Sequence, residues 1–129
     1  MKIDKSINKE IEEKKKIWLK CGGFITIDKT EALTAIDVNS AKYVGKKDLE
    51  DTAFSINIES AIEIARQIRL RDIGGIIIID FIDLNNEEHK KELVRIFANE
   101  LKHERTKVQI EWFTKLNLLE LTRKHIYSE

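Results

Sequence analysis

The chain is predicted to be an α/β protein: a mixed, mostly parallel sheet flanked by helices, with an antiparallel hairpin at its N-terminal side. Three observations carry that expectation. "ALTAIDVNS" alternates apolar and polar residues with the period of a strand. "IIIIDFID", Ile76 to Asp83, opens on four consecutive isoleucines, the pattern of a central strand covered on both faces. Between them, residues 48–71 switch to helical spacing, so strand, helix and strand follow in the order of a crossover unit.

Each element has its own local reason. Residues 1–16 are polar, with Ile3, Ile7 and Ile11 at helical spacing, and read as a charged lead-in helix or linker before a domain over 17–129. "IWLKCGGFITID" places two short apolar runs around Gly22 and Gly23, a hairpin signal. In "ALTAIDVNS", Asp37 and Asn39 share one face while Ile36 and Val38 take the other. Phe54, Ile58, Ala61, Ala65 and Ile68 make one stripe along the 48–71 helix. Arg66, Arg69 and Arg71 cluster near its end, where they either complement the helix C-terminus or contact phosphate. "DIGG" closes that helix ahead of the isoleucine strand. Asn85 or Asn86 can cap the next helix, with Glu87 and Glu88 suited to its dipole and Leu93, Ile96, Phe97 and Leu101 as its buried stripe. "KVQIEWF" returns to a strand, and "LNLLELTRKH" reads as a short last helix.

Composition sets limits on function. The 129 residues amount to one domain, and 42% hydrophobic with 36% charged residues is the profile of a soluble globular protein. Lys+Arg and Asp+Glu balance at 23 each, so polyanion binding has to rest on local basic patches. No apolar run approaches the roughly 20 residues of a membrane span, and the opening residues lack the apolar core of an export signal. Cys21 is the sole cysteine, which rules out an intrachain disulfide and fits a cytoplasmic setting. It reads as a small residue beside the turn glycines rather than as a nucleophile. His89, His103 and His125 do not form a zinc pattern.

The chemistry is concentrated in carboxylates. An ionised acid inside a buried strand is costly unless paired or metal-bound, so Asp37 and Asp80 belong where their strands emerge at the sheet edge. If the two strands are parallel neighbours, Asp37 and Asp80 meet there, with Asn39 on the Asp37 face and Asp83 nearby. Two close carboxylates repel unless a cation sits between them. Oxygen ligands with room for water suit Mg²⁺ or Mn²⁺ rather than zinc. Acids ending buried strands also cap helices or pair with arginine, and Asp83 reads equally as a helix-approach residue.

The pieces "TEALTAIDVNS", "ARQIRLRDIGGIIIIDFID" and "LLELTRK" resemble the catalytic core of the ribonuclease E/G family, over nearly all of residues 17–125. The resemblance implies a deoxyribonuclease-I-like subdomain in which Asp37 and Asp80 hold a catalytic Mg²⁺, with Mn²⁺ as a substitute, and Asn39 assists. The implied reaction is hydrolysis of single-stranded RNA to 5′-phosphate and 3′-hydroxyl ends, in RNA processing and decay. Lys107 matches a basic residue near the family's 5′-monophosphate-sensing pocket, and Lys46, Lys47, Arg66 and Arg69 are the other expected phosphate contacts, with Lys42 and Arg71 beside them. The implied partners are single-stranded RNA, the S1, 5′-sensor, RNase H-like and zinc-link regions of a parent protein, and a second copy of the chain as a homo-oligomer. Those regions and the family's zinc site fall outside these 129 residues, so the chain reads as a catalytic fragment, weakly active or inactive by itself. Two other classes compete: a receiver-like Mg²⁺-binding signalling domain, and a non-enzymatic assembly module presenting its helices.

Overall fold

The computed structural model describes residues 16–40, 49–102 and 106–125. The lead-in assigned to residues 1–16 lies outside the described residues except for Lys16, as do Lys42, Lys46, Lys47 and His103. In chain order the elements are β1 (Lys16–Trp18), β2 (Phe24–Lys29), β3 (Thr34–Asn39), α1 (Leu49–Leu70), β4 (Gly75–Asp80), α2 (Glu87–Leu101), β5 (Val108–Phe113) and β6 (Leu119–Arg123). The strands form one sheet in the order β1-β2-β3-β4-β6-β5.

The α/β class and the N-terminal hairpin stand, but the sheet is less parallel than its sequence pattern implied. β3 and β4 are parallel, whereas β1–β2, β2–β3, β4–β6 and β5–β6 are all antiparallel. The reason lies in the connections. The α1 crossover returns the chain in the same direction, and hairpins reverse it at β1–β2, β2–β3 and β5–β6. The last hairpin sets β6 antiparallel to β4 as well, because β5 runs in the direction of β4. The segment read as a last helix is instead β6. Leu119 and Leu121 are wholly buried with Glu120 between them turned outward, a period of two. Asn117, at φ 65°, forms the turn that sends the chain back along β5.

Among the described residues, the sheet is also covered on one side only. Ile25, Ile27, Ile36, Val38, Ile77, Ile79, Leu119 and Leu121 share one core cluster with residues of α1 and α2. In the isoleucine strand, Ile77 and Ile79 are fully buried while Ile76 is 42% exposed. Four isoleucines therefore follow ordinary two-face alternation, with one face left open. The stripe on α1 is broader than the sequence spacing implied: Ala61, Ala65 and Ile68 are buried with Ala53, Ile56, Asn57, Ser60 and Ile64, while Phe54 and Ile58 sit half-buried at its margin. On α2, Leu93, Phe97 and Leu101 are buried and Ile96 is not. Asn86 caps α2, accepting hydrogen bonds from the N–H groups of Glu88 (2.8 Å) and His89 (3.3 Å).

Two local devices fix the ends of the layer. Gly22 turns the β1–β2 hairpin at φ 99°, and a Cβ on Gly23 would lie 2.7 Å from the Asn39 carbonyl oxygen, so only glycine lets β2 approach the end of β3 this closely. At the opposite edge, the fully buried Arg123 side chain pairs with Asp72 (2.9 Å) and donates to the Ile73 carbonyl (2.9 Å), locking β6 to the α1–β4 turn.

Candidate functional site

β3 and β4 end side by side, and their register sets Asp37 directly opposite Asp80. Parallel neighbours in register present the same face at each pair. Ile36, Val38, Ile77 and Ile79 turn inward, so both aspartates project from the open face at the C-terminal edge of the strands. Asn39 lies on that face too and donates from Nδ2 to Asp37 Oδ2 at 3.3 Å. Burial pushes the Asp80 carboxyl above its ordinary range, and the negative charges of Asp37 and Asp83 push it further. A cation between the two acids would relieve that crowding.

The loop after β4 is held by residues whose role is not evident from sequence patterns. Asn57 is completely buried on α1. Its amide donates to the Ile82 carbonyl at 2.8 Å and its oxygen accepts from the Ile82 N–H at 2.9 Å. Ile82 is two residues beyond Asp80, so Asn57 pins the chain where the acid leaves the strand. Asn117 in the β5–β6 turn donates to Asp83 Oδ1 at 2.9 Å. Glu50 accepts from the Asn85 N–H (2.7 Å) and from the His89 ring (2.7 Å), and Phe54 stacks on that ring. Burial raises the Glu50 carboxyl, yet the hydrogen bonds from Asn85, His89 and Asn86 outweigh it and hold the group below its ordinary range. The available signal for Asn57 was its position: a carboxamide inside the apolar run of a helix needs buried partners.

The donor set fits a hard divalent cation. Two carboxylates and one carboxamide offer only oxygen towards a ligand, and the exposure of both aspartates leaves space for water. Among the described residues no third His, Cys, Asp or Glu joins them in a metal-holding group, so water or a ligand phosphate would complete the shell. A cavity of about 190 Å³ opens nearby, lined by Ser40, Leu49, Ala53, Ile56, Ile82 and Asp83 among others, but neither Asp37 nor Asp80 lines it. It is therefore not the pocket of the acid pair.

Of the expected phosphate contacts, those among the described residues are not gathered here. α1 runs back from the acid edge, so Arg66, Arg69 and Arg71 at its end lie near the start of β4. There Arg66 pairs with Glu63, Arg69 donates to the Glu100 carbonyl, and Arg71 donates to Gln67. Lys107 precedes Val108, which pairs with Arg123, which pairs in turn with Gly75. Gly75 begins the strand that Asp80 ends, so Lys107, one residue further out, sits at the opposite edge, roughly 20 Å away along the strands at about 3.3 Å per residue. Lys46 and Lys47 follow the Asp37 strand but lie outside the described residues.

The fold and the site together define an α/β domain with a paired-carboxylate centre on the sheet face that the described helices leave open. A family model described as the Ribonuclease E/G family matches residues 1–126. The chain belongs to that family. It is 46% identical over 122 residues to Ribonuclease G of Salmonella typhimurium (strain SL1344), and 45% identical over the same length to Ribonuclease G of Escherichia coli (strain K12). Each alignment covers 95% of this chain and 24% of the relative. Ribonuclease E of Escherichia coli (strain K12) is 43% identical over 122 residues, 93% of this chain and 12% of the relative. The chain thus spans about a quarter of the length of these ribonuclease G relatives. No helix among the described residues is long and apolar enough to cross a membrane.

Proposed function

We propose that this chain is the carboxylate-bearing catalytic subdomain of a Mg²⁺-dependent endoribonuclease that hydrolyses single-stranded RNA to 5′-phosphate and 3′-hydroxyl ends. The observation that carries the reading is the register of Asp37 against Asp80 at the end of the parallel β3–β4 pair. Family membership supports it, since the relatives bear the name ribonuclease. Asp37 and Asp80 would hold the cation, Mg²⁺ or Mn²⁺. When bound, such an ion supplies charge neutralisation at a phosphate and acidification of water. Asn39 holds the Asp37 carboxylate through its amide N–H, and its side-chain oxygen, which accepts no hydrogen bond among the described residues, would orient water or ribose. Asn57 and Asn117 hold the segment that carries Asp80 and Asp83. The open sheet face gives an extended strand of RNA direct access to both acids. The natural setting of this chemistry is cytoplasmic RNA processing and decay, within a longer protein. The family match over residues 1–126 favours this reading over a receiver-like or purely assembling module.

The test is a Mn²⁺ titration of the chain, followed by incubation of a fluorescent 5′-monophosphorylated RNA with Mg²⁺ and the chain joined to the remaining domains of a ribonuclease G relative. Saturable Mn²⁺ binding and cleavage, both lost in Asp80→Asn, are expected. Mn²⁺ binding by Asp80→Asn as tight as by the parent would overturn the assignment.

A further inference from the structure

The open face carries a second feature beside the carboxylates. Phe24 lies directly opposite Asn39, and Thr26 directly opposite Asp37, so Phe24 is the diagonal neighbour of Asp37 on the same face. Diagonal neighbours of this kind are roughly 7–8 Å apart, within reach of an aromatic side chain. One strand further out, Trp18 is opposite Phe24. Their ring centroids are 5.0 Å apart at 51°, and the Lys16 ammonium stands 4.8 Å from the Phe24 centroid. A cross-strand aromatic pair is an ordinary way to stabilise a hairpin. That role does not require Trp18 to keep 61% of its surface in water. The row Trp18–Phe24–Asn39 therefore runs straight from an exposed aromatic surface to the acid pair, with one cation above it.

We propose that Trp18 and Phe24, assisted by Lys16, form a stacking platform for a nucleobase of single-stranded RNA adjacent to the phosphate placed at Asp37 and Asp80. The proposal rests on the nuclease reading and adds to it the surface that positions the substrate. Stacking on exposed aromatics is tolerant of base identity, because every base has a π-face. Lys16 supplies the salt-sensitive part by meeting the backbone phosphate, and the rings supply the salt-insensitive part. A protein segment covering this face is the competing occupant; the continuity of the rings with the acids and the presence of Lys16 favour RNA.

The experiment uses the full 129-residue chain in a Trp112→Phe background, so that Trp18 is the sole tryptophan. Titration with a short single-stranded RNA in Mg²⁺ is expected to quench Trp18 emission saturably. In the unlabelled-background chain, Trp18→Ala should weaken binding of a fluorescent RNA about tenfold, in the range of one lost stacking contact. Trp18→Phe should recover most of that loss. The salt slope should stay constant in Trp18→Ala and fall by about 0.7 in Lys16→Gln. Circular dichroism checks that each variant is folded, and Trp18→Phe keeps the test valid if the alanine variant is not. RNA affinity unchanged in Trp18→Ala, or no quenching of Trp18, overturns the platform. So does a Trp18→Ala effect on sedimentation rather than on RNA binding, which would mark the face as a protein contact. If the platform fails while Asp80→Asn still abolishes Mn²⁺ binding, the nuclease reading stands; if the parent chain binds no Mn²⁺, that reading fails and the platform with it.

Discussion

Asp80 is the residue on which stability and function pull in opposite directions. Its pKa is raised by burial and by the charges of Asp37 and Asp83, so ionising it costs more in the folded chain than in the unfolded one. Stability from this group is fully present below the ordinary value of 3.8 and is lost as pH rises through the raised value. At neutral pH without metal, Asp80→Asn should therefore melt at the same temperature as the parent or higher, and the advantage should vanish near pH 3. The same substitution should weaken Mn²⁺ binding by more than about 100-fold, beyond the 10–100-fold typical of losing an outer partner. Thermal melts in EDTA across pH, with calorimetric Mn²⁺ titration, check both parts. Asn57 pulls the other way. Removing its amide in Asn57→Ala leaves the Ile82 N–H and carbonyl without partners, at a cost of about 2–3 kcal/mol in urea denaturation. Mn²⁺ affinity should drop as well, because the segment after Asp80 loses its anchor. Unchanged stability in that variant would mean the two hydrogen bonds are replaced by water.

At the scale of elements, β6 carries most of the difference between the expected and the observed sheet. As an inner strand between β4 and β5 it buries Leu119 and Leu121 completely. Leu121→Ala should destabilise the chain by about 2–5 kcal/mol, the range for a large-to-small change in a core. A surface helix would lose far less from the same change, so chemical denaturation separates the two structures directly. β6 also positions the site from a distance: its turn presents Asn117 to Asp83, and its end anchors Arg123 against Asp72. The α1 crossover does the complementary task. It makes β3 and β4 parallel, and only that orientation brings two strand-end acids to one edge.

Among the described residues, several cations lie at the end of the sheet away from the Asp37–Asp80 pair. Arg69, Lys102, Lys107 and Lys124 lie towards the edge opposite Asp80, while the formal net charge of the chain is zero. Among the described residues few cations besides Lys16 stand beside the acids to clamp phosphate, and hydrolysis requires the scissile phosphate within about 3–3.5 Å of the attacking oxygen. The isolated chain is therefore expected to cleave a 5′-monophosphorylated RNA at least about 100-fold more slowly than the same chain joined to the remaining domains of a ribonuclease G relative. A fluorescence assay in Mg²⁺ at two salt concentrations checks this, and equal rates would show that the chain carries its own clamps.

Much of this protein was legible from local patterns. The alternation around Asp37, the helical period of residues 48–71 and a cap at Asn85 or Asn86 each depend on neighbours a few residues away, so sequence alone determined them; the structure chose Asn86. The pairing of Asp37 with Asp80 also followed, because a crossover of that length leaves two strands parallel. Tertiary structure decided the rest. An apolar run such as Ile76–Ile79 reads the same whether one or both faces are covered, since coverage depends on where distant helices pack. Leu119 and Leu121 fit a short helix or a strand equally until β4 and β5 offer hydrogen bonds on both sides. Asn57 could be recognised only as a polar residue in an apolar stripe; its partner Ile82 is 25 residues away and becomes a neighbour only through the fold. The exposed aromatic row beside the acids is likewise a product of register, which joins Trp18, Phe24 and Asn39 from three strands into one surface.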